Sequence, residues 1–255
     1  MSDSLNSAEF IRYSRQIMLD DWQESGQLRL KAANVVVIGC GGLGNMTATL
    51  LAGAGVGHIT LVDDDEVELS NLPRQISFEQ DDIANSKVFA LANRLREQNE
   101  QVIIDALHQR FDESNAKHLI ANADLVLDCS DNFACRFLVN QHCLNQGIAL
   151  LSASVIGWSG QLMLIDPKKR QHGCYQCVFE QAPLLAQNCA SNGVSGPAVN
   201  IIASYQANQA LLFLLGKSCE LATSIVLVDS KTMQNQVFTR TQREGCHSCQ
   251  AAILC

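Results

Sequence analysis

The sequence predicts an α/β protein built on a Rossmann-like, mostly parallel sheet with helices on both faces. Short apolar runs alternate with helical patterns through the first 152 residues, and a glycine-rich segment joins the first run to a helix. An acidic cluster ends the second run. Continuous apolar runs are typical of parallel strands that are buried on both faces.

The first half of the chain supplies the strand–helix alternation. Residues 1–30 are polar with scattered apolar positions and predict an N-terminal helical arm. The helix after the glycine segment reaches about Ala54, and further helices are predicted over residues 86–98, 112–122 and 132–146. The predicted strands are Asn34–Ile38, His58–Val62, Val102–Leu107, Leu125–Asp128 and Ile148–Ser152.

The second half changes character. Gln161–Ile165 predicts a strand outside the strand–helix alternation of the first half. Residues 180–197, with their prolines and glycines, predict a loop. A long apolar helix follows, and Ile225–Val228 and Gln236–Thr239 predict a closing pair of strands. Without a repeat or long linker, we expect one domain over residues 1–255, made of an arm (1–30), a nucleotide-binding half (31–152) and a second half (153–255).

Composition excludes several classes of protein. Apolar residues make up 47% of the chain and charged residues 17%, which indicates a folded core. The net charge of −8 argues against nucleic acid as the main partner. Four amides, including Gln206, interrupt the apolar stretch Val199–Leu215, so it predicts a core helix and no membrane partner. The polar N-terminus has no apolar signal region, and we expect a reducing cytoplasmic setting for the eleven cysteines.

The glycine-rich segment GCGGLG points to a nucleotide. Its glycines, Gly39, Gly41, Gly42 and Gly44, follow a strand and open a helix. Glycines there let the backbone approach phosphates, and the helix N-terminus adds N–H donors. The alternative is a glycine turn without a ligand, and the motif alone does not say which nucleotide binds.

Polar residues downstream favour ATP over a dinucleotide. Asp63 ends the second strand, where a carboxylate typically binds ribose hydroxyls, although an acidic turn in solvent is the other interpretation of this segment. Cations and amides near a phosphate loop suit a triphosphate, whose charge must be neutralised; taken singly, the cations could be surface charges. The candidate nucleotide ligands in this stretch are Asp63, Asp65, Asn71, Arg74, Gln75 and Lys87.

Asp131 is the candidate Mg²⁺ ligand. It follows the strand Leu125–Asp128, and ligands gather at the carboxyl ends of such strands. A hard carboxylate suits Mg²⁺. The alternative is a helix N-cap, and an aspartate can serve both purposes.

Two C-x-x-C pairs indicate a structural zinc site. Four thiolates form a closed tetrahedral site with no open position, so we expect structural rather than catalytic zinc; redox dithiols are the alternative. The zinc ligands are Cys174, Cys177, Cys246 and Cys249.

Cys189 lies in a predicted loop near a helix start and is either a nucleophile or an inert thiol. Cys40, Cys129, Cys135, Cys143 and Cys219 are interpreted as small apolar fillers.

Together these segments resemble the ThiF/MoeB/HesA family, relatives of ubiquitin-activating enzymes, and the ThiF branch of thiamine synthesis most closely. The resemblance runs from Arg12 to Cys249. It rests on RYSRQ, GCGGLG, AGAGVG, LSNLPRQ, LDCSDN, GCYQC, NCASNGVSGP and GCHSC. Cys40, Pro73 and Asn85-Ser86 depart from the usual pattern without removing a candidate ligand.

The resemblance implies an activity and partners. The activity is ATP-dependent adenylation of the C-terminal Gly-Gly carboxylate of a ubiquitin-like sulfur-carrier protein, ThiS, by a homodimer with a carrier-binding second half. A cysteine desulfurase would be one sulfur donor. The resemblance also implies that Arg15 reaches the phosphates of the partner subunit's ATP, that Arg74 and Lys87 contact phosphates, that Asp131 binds Mg²⁺, and that Cys189 acts in sulfur transfer.

Four alternatives remain at this point. A MoeB-type enzyme would adenylate the small subunit of molybdopterin synthase. A tRNA-modifying dehydratase of the same superfamily fits poorly with the negative charge and the thiolate pairs. A nicotinamide-dependent oxidoreductase leaves Arg74 and Lys87 unexplained, and a non-catalytic scaffold leaves the whole ligand set unexplained.

Overall fold

The computed structural model describes residues 4–180 and 193–251, which form one eight-stranded sheet with the strand order β3-β2-β1-β4-β5-β6-β7-β8. The first five strands run parallel and the last three are antiparallel to their neighbours. The strands are β1 Asn34–Ile38, β2 His58–Asp63, β3 Ile103–His108, β4 Leu125–Asp128, β5 Ala149–Ile156, β6 Ser159–Ile165, β7 Ser224–Asp229 and β8 Gln234–Thr239.

Helices cover both faces of this sheet, as predicted. They are α1 Ser7–Arg12, α2 Ser14–Ile17, α3 Gln23–Ala32, α4 Gly42–Ala54, α5 Lys87–Gln98, α6 Ala116–Ile120, α7 Phe133–Gln146, α8 Tyr175–Val178, α9 Gly196–Leu214 and α10 His247–Ala251. Short 3₁₀ turns lie at Leu69–Asn71, Gln80–Asp82, Pro167–His172 and Glu220–Ala222.

The strand β1 shows why the sheet is buried on both sides. Val35 and Val37 pack into the hydrophobic cluster that includes residues of α4, α5 and α9. Val36 and Ile38 point the other way, into the cluster that includes residues of α6, α7 and α8. Since successive side chains of a strand alternate between faces, a continuous apolar run is what a double-sided core requires.

Two predicted boundaries were wrong by four residues, and the starts of β6 and β8 by two. The helix predicted over residues 112–122 is only Ala116–Ile120, because side chains before it hold the backbone in a turn. The Asp112 carboxylate accepts hydrogen bonds from the N–H and hydroxyl of Ser114, and such local bonds compete with a helix. The strand predicted to end at Ser152 continues to Ile156, because the antiparallel β6 pairs with all of this extension.

The long apolar helix is confirmed as a core element. α9 packs across α4, β5 and β6. Gln206, in its middle, is fully buried and donates to the carbonyl oxygens of Asp128 and Leu151 at 3.2 and 3.1 Å. Its own oxygen accepts from Thr47 Oγ1 at 3.1 Å and from Cys129 Sγ at 3.2 Å. Among the described residues, no helix combines the length and apolarity needed to cross a membrane.

We expect Gln206→Leu to lower the free energy of unfolding by about 2–4 kcal/mol, because it removes the buried hydrogen bonds that Gln206 forms with two carbonyl oxygens and with the Cys129 thiol, while Thr47 keeps its bond to Ala203. Urea denaturation of the metal-loaded protein measures the loss. Asn208→Leu is the control on an exposed position of the same helix and should change stability by less than about 0.5 kcal/mol. Equal effects of the two changes would show that the buried amide contributes nothing.

Candidate active site and metal centre

The glycine loop joins β1 to α4 where the strand order reverses, between β1 and β4. Gly39 has a φ of +91°, and a Cβ on it would lie 2.9 Å from the carbonyl oxygen of Cys129. A Cβ on Gly44 would lie 1.8 Å from the carbonyl oxygen of Gly39. These two glycines are therefore required by the packing of the protein itself.

The packing of the protein does not require a glycine at position 41. A Cβ there would meet only Gln75 Nε2, at 3.8 Å, so the space beside it is open. Gly41 is also the N-cap of α4 and provides no side-chain cap, while the first N–H groups of a helix have no intrahelical acceptors. Open space beside N–H donors fits a phosphate group. Gly42 faces the protein instead, 2.6 Å from Val199 by the same measure.

Asp63 closes the glycine loop onto β2. Its carboxylate accepts a hydrogen bond from the N–H of Cys40 at 2.6 Å and another from the N–H of Asp65 at 2.8 Å. Burial raises the pKa of Asp63 above its ordinary value, while the two N–H donors and Lys87 act in the opposite direction. Each carboxylate oxygen keeps a second acceptor site, so a ribose hydroxyl fits beside these bonds.

Lys87 and Arg74 lie at the rim of the loop. The Lys87 ammonium is buried and pairs with the Asp65 carboxylate at 2.8 Å, and its backbone N–H donates to the Asp65 carbonyl. Arg74 lies beside Gly42 and donates to the carbonyl oxygen of Ser70 at 2.8 Å. Both cations are therefore within the candidate site.

The two predicted amides differ in role. Gln75 is 2% exposed, and its Oε1 has no hydrogen-bond partner among the described residues, although the side chain lies beside Gly41. The buried Oε1 is thus an acceptor without a described partner, whereas the Nε2 of the same amide lies beside the open space at Gly41. Asn71 instead accepts from the N–H of Glu68 at 3.1 Å and closes a 3₁₀ turn.

Asp131 reaches the site through β4. Cys129 donates its N–H to the carbonyl oxygen of Ile38, so the segment after β4 runs beside the glycine loop. The Asp131 side chain is exposed, and its one hydrogen bond to a described residue is a 3.5 Å contact from Asn132. These oxygens fit a Mg²⁺ ion. The N-cap alternative for Asp131 is wrong, since Asn132 caps α7 by accepting from the N–H of Cys135.

Arg15 does not lie with the other candidates. Tyr13 packs on Gly55 and Gln16 donates to the carbonyl oxygen of Ala54, both at the far end of α4 from the glycine loop. A helix of 13 residues is about 20 Å long. Arg15 is exposed and forms no hydrogen bond or ion pair with the described residues. The backbone on either side of Arg15 is therefore anchored at the opposite end of α4 from the glycine loop of its own chain.

Cys189 lies outside the described residues. Burial raises the pKa of the thiols of Cys129 and Cys143, and that of Cys135 to about 12. Buried protonated thiols are poor nucleophiles, which fits their interpretation as core fillers.

The two C-x-x-C pairs come together, as a zinc site requires. The sulfur atoms of Cys174 and Cys177 are 3.9 Å apart, those of Cys174 and Cys246 3.7 Å, and those of Cys177 and Cys249 3.6 Å. All four lie within 4.8 Å of one another. Zinc–sulfur bonds of about 2.3 Å in a tetrahedron place the sulfurs about 3.8 Å apart, so the cluster fits zinc.

A buried arginine lies beside this cluster. Arg240 is 3% exposed and donates to four carbonyl oxygens, those of Gly173, Ser224, Leu164 and Leu221. Burial lowers the pKa of its guanidinium to about 10, so the group stays charged at neutral pH. No carboxylate of the described residues pairs with it. A zinc tetrathiolate, which is dianionic, supplies the charge that a buried cation needs.

Sequence reasoning missed three further groups around the site. Asp128 and Arg136 are buried beside Ser130, and Gln206 links α9 to β4. Asp128 was visible as the acidic end of an apolar strand. Gln206 was visible only as one of the amides that interrupt an apolar stretch, and Arg136 gave no signal, because only tertiary packing brings it to Ser130.

Fold and site together define a Rossmann-like α/β protein with a glycine loop at its switch point and a four-cysteine metal centre. The ThiF family model matches residues 13–250, and the chain belongs to the ThiF family.

Named relatives agree with this membership. The chain is 41% identical over 245 residues to the sulfur carrier protein ThiS adenylyltransferase of Escherichia coli, covering 96% of this chain and 97% of that protein. It is 37% identical to the adenylyltransferase and sulfurtransferase MOCS3 of Xenopus laevis, covering 96% of this chain but 54% of that protein, and so spans about half of its length.

The fold also matches solved structures. MccB of Escherichia coli, in complex with MccA-N7isoASN, superposes with a TM-score of 0.82 at 25% sequence identity. The match covers 93% of this chain and 74% of MccB.

We expect Arg240→Met to speed zinc loss to a chelator at least about tenfold, because the tetrathiolate loses its buried counter-charge. Arg240→Lys, which keeps the charge but not all four hydrogen bonds, should lose zinc at an intermediate rate. Arg29→Met removes a guanidinium bound to the carbonyl oxygen of Leu215 on α9's end and is the control. Equal zinc loss in all variants would show that the charge of Arg240 does not act on the metal.

Proposed function

We propose that this protein is an adenylyltransferase that uses ATP to activate the C-terminal glycine carboxylate of a ubiquitin-like sulfur-carrier protein, ThiS. The near full-length similarity to the ThiS adenylyltransferase of Escherichia coli is the observation that carries the proposal. The site supports it, because uncapped helix N–H groups, open space at Gly41 and two cations lie together at the switch point.

ATP binds with its phosphates over the glycine loop and its ribose at Asp63. The N–H groups at the start of α4 hold phosphate oxygens, and Arg74 neutralises their charge. The Asp65 carboxylate pairs with the Lys87 ammonium and orients it, and the ammonium also interacts with the nucleotide. Gln75 offers its Nε2, which lies beside Gly41, to an oxygen of the nucleotide.

The chemistry is an in-line displacement at the α-phosphate. A carrier carboxylate oxygen attacks that phosphorus, the bond to the bridging oxygen breaks, and pyrophosphate leaves with its electrons. A carboxylate is ionised near neutral pH, so no general base is required. Mg²⁺ held by Asp131 would neutralise charge on the reacting phosphates. Arg74 and Lys87 stabilise the charge that moves onto the leaving group.

The acyl-adenylate is then open to a sulfur nucleophile. The nucleophile is either Cys189 or a persulfide delivered by a donor such as a cysteine desulfurase; it attacks the activated carbonyl, and AMP leaves. A Cys189→Ala variant that completes sulfur transfer unchanged would remove Cys189 from this step. The zinc site is structural, since four thiolates leave no open position.

The protein acts as a homodimer in which Arg15 completes the partner's site. The support is the arm's anchoring at the far end of α4, which keeps Arg15 about 20 Å from its own glycine loop.

The alternative carrier is the small subunit of molybdopterin synthase, and the 37% identity to MOCS3 is the observation that supports it.

ATP–pyrophosphate exchange with Mg²⁺ tests the reaction, using ThiS and the molybdopterin-synthase small subunit separately. We expect exchange with ThiS, and at least a hundredfold loss for Arg74→Ala, since a charged contact to the transferring group is worth about 3 kcal/mol. Arg94→Ala, on an exposed salt bridge of α5, is the control and should keep wild-type exchange.

The outcomes separate the alternatives. Exchange with the molybdopterin-synthase subunit alone keeps the chemistry and replaces the carrier. No exchange with either carrier, using folded zinc-loaded protein, contradicts adenylation of these carriers and favours a scaffold or a tRNA-modifying dehydratase.

Subunit mixing tests the placement of Arg15. Arg15→Ala and Lys87→Ala should each abolish exchange, whereas their co-refolded mixture should recover about a quarter of the wild-type rate, because each heterodimer of a two-fold symmetric pair holds one intact site. If Arg15 served its own chain, both sites of the heterodimer would be defective and the mixture would stay inactive.

A further inference from the structure

Ser130 is held at all three of its polar atoms. Its N–H donates to Asp128 Oδ1 at 3.1 Å and its hydroxyl donates to the same oxygen at 2.6 Å. Its carbonyl oxygen accepts from Arg136 Nη2 at 2.8 Å and from Arg136 Nε at 3.3 Å. The Asp128 carboxylate therefore binds the N–H and hydroxyl of Ser130, and the Arg136 guanidinium binds its carbonyl oxygen.

Both charges are buried. Asp128 is 0% exposed and Arg136 is 7% exposed. Asp128 forms no ion pair with a described residue; besides Ser130, Ser152 donates its hydroxyl to Oδ2 at 2.7 Å. Hydrogen bonds to charged groups are shorter and stronger than neutral ones, and a low-dielectric interior strengthens them further. The two charges therefore restrain Ser130 more firmly than neutral side chains would.

The restraint falls on the residue immediately before Asp131. The carbonyl of Ser130 and the N–H of Asp131 belong to one planar peptide unit, so the guanidinium fixes that plane. The Asp131 side chain is exposed and has only one long contact to a described residue, from Asn132. Its direction is thus set by the backbone and not by its own side-chain partners.

We propose that Asp128 and Arg136 form a charged clamp on Ser130 that positions Asp131 for its metal ion. The proposal rests on the proposed function, in which Asp131 holds Mg²⁺. Asp128 and Arg136 are positioning residues here and touch neither nucleotide nor metal.

A purely stabilising role explains the arrangement less well. Burying a carboxylate and a guanidinium costs solvation free energy, and apolar residues of similar volume often serve stability as well or better. Supporting residues of a metal site, in contrast, must hold a ligand within a fraction of an ångström. Charged groups that converge on the peptide preceding the ligand meet that requirement.

The test measures metal affinity and not only turnover. Mn²⁺ binding to the complex of the whole enzyme with a nonhydrolysable ATP analogue is followed by electron paramagnetic resonance. We expect Asp128→Asn and Arg136→Met each to weaken Mn²⁺ binding about tenfold or more, as outer-shell changes at metal sites do. Binding of the ATP analogue without metal should stay within about twofold of wild type.

Two controls separate position from stability. Ser152→Ala removes a bond to Asp128 on the side away from Ser130 and should change Mn²⁺ binding less than about twofold. Val139→Ala destabilises α7 from its buried face without touching the clamp. If Val139→Ala weakens Mn²⁺ binding as much as Arg136→Met does, the clamp is only structural and the proposal is overturned.

Asp131→Asn distinguishes failure of the inference from failure of the function. If Asp131→Asn leaves Mn²⁺ binding unchanged, the metal role of Asp131 is wrong and the proposed mechanism falls with it. If Asp131→Asn weakens binding but folded Arg136→Met and Asp128→Asn do not, only the clamp is overturned. Should Asp128→Asn fail to fold, Arg136→Met and Arg136→Lys decide alone, with the lysine expected to restore part of the affinity.

Discussion

The close approach of the glycine loop to itself and to β4 is the constraint on which the rest of the site depends. A side chain at Gly44 would overlap the carbonyl oxygen of Gly39, and one at Gly39 would press on Cys129. The parallel pairing of β2, β1 and β4 brings their carboxyl ends to one edge of the sheet, and this contact lets the glycine loop lie against that edge. Asp63 then ties β2 to the loop through the N–H of Cys40, and the loop, its helix and the segment carrying Asp131 become one rigid unit.

The same helix that begins in the glycine loop sets where the N-terminal arm lies. At its end, Gly55 has a φ of +84°, and a Cβ there would lie within 3 Å of the Tyr13 ring. The Tyr13 hydroxyl accepts from buried Asn99, whose amide also donates to the carbonyl oxygen of Ala52. An arm tethered this way cannot swing along α4 without breaking buried hydrogen bonds. This anchoring of the arm is the observation behind the proposal that Arg15 serves the site of a second subunit.

The sequence was sufficient for whatever depends on local patterns. β1 and β4 were predicted to the residue, because double-sided burial gives continuous apolar runs. The glycine loop and the cysteine pairs were also predicted, because the chemistry of each requires residues at fixed spacings. The clamp at Ser130 was not predicted: Arg136 lies on the first turns of α7, where an arginine usually faces solvent, and only packing against the end of β4 buries it. Arg240 gave no signal because its partners are four carbonyl oxygens from separate segments.

The four-cysteine cluster and the candidate active site share a helix, so a metal bound by these cysteines would have a role beyond joining the C-terminal segment to the sheet. Tyr175, inside the first C-x-x-C pair, donates its N–H to Asn140 on α7 and packs edge-on against Phe137 at 5.5 Å. Phe179 continues this aromatic contact to Phe133, the first residue of α7. A zinc ion bound there would fix the turn between Cys174 and Cys177, and with it the aromatic surface against which the start of α7 packs. Arg136 lies on that first part of α7 and binds the carbonyl oxygen of Ser130, the residue before Asp131. A loss of order at the four thiolates would therefore disturb this backbone through packed side chains, without any contact between the metal and the nucleotide.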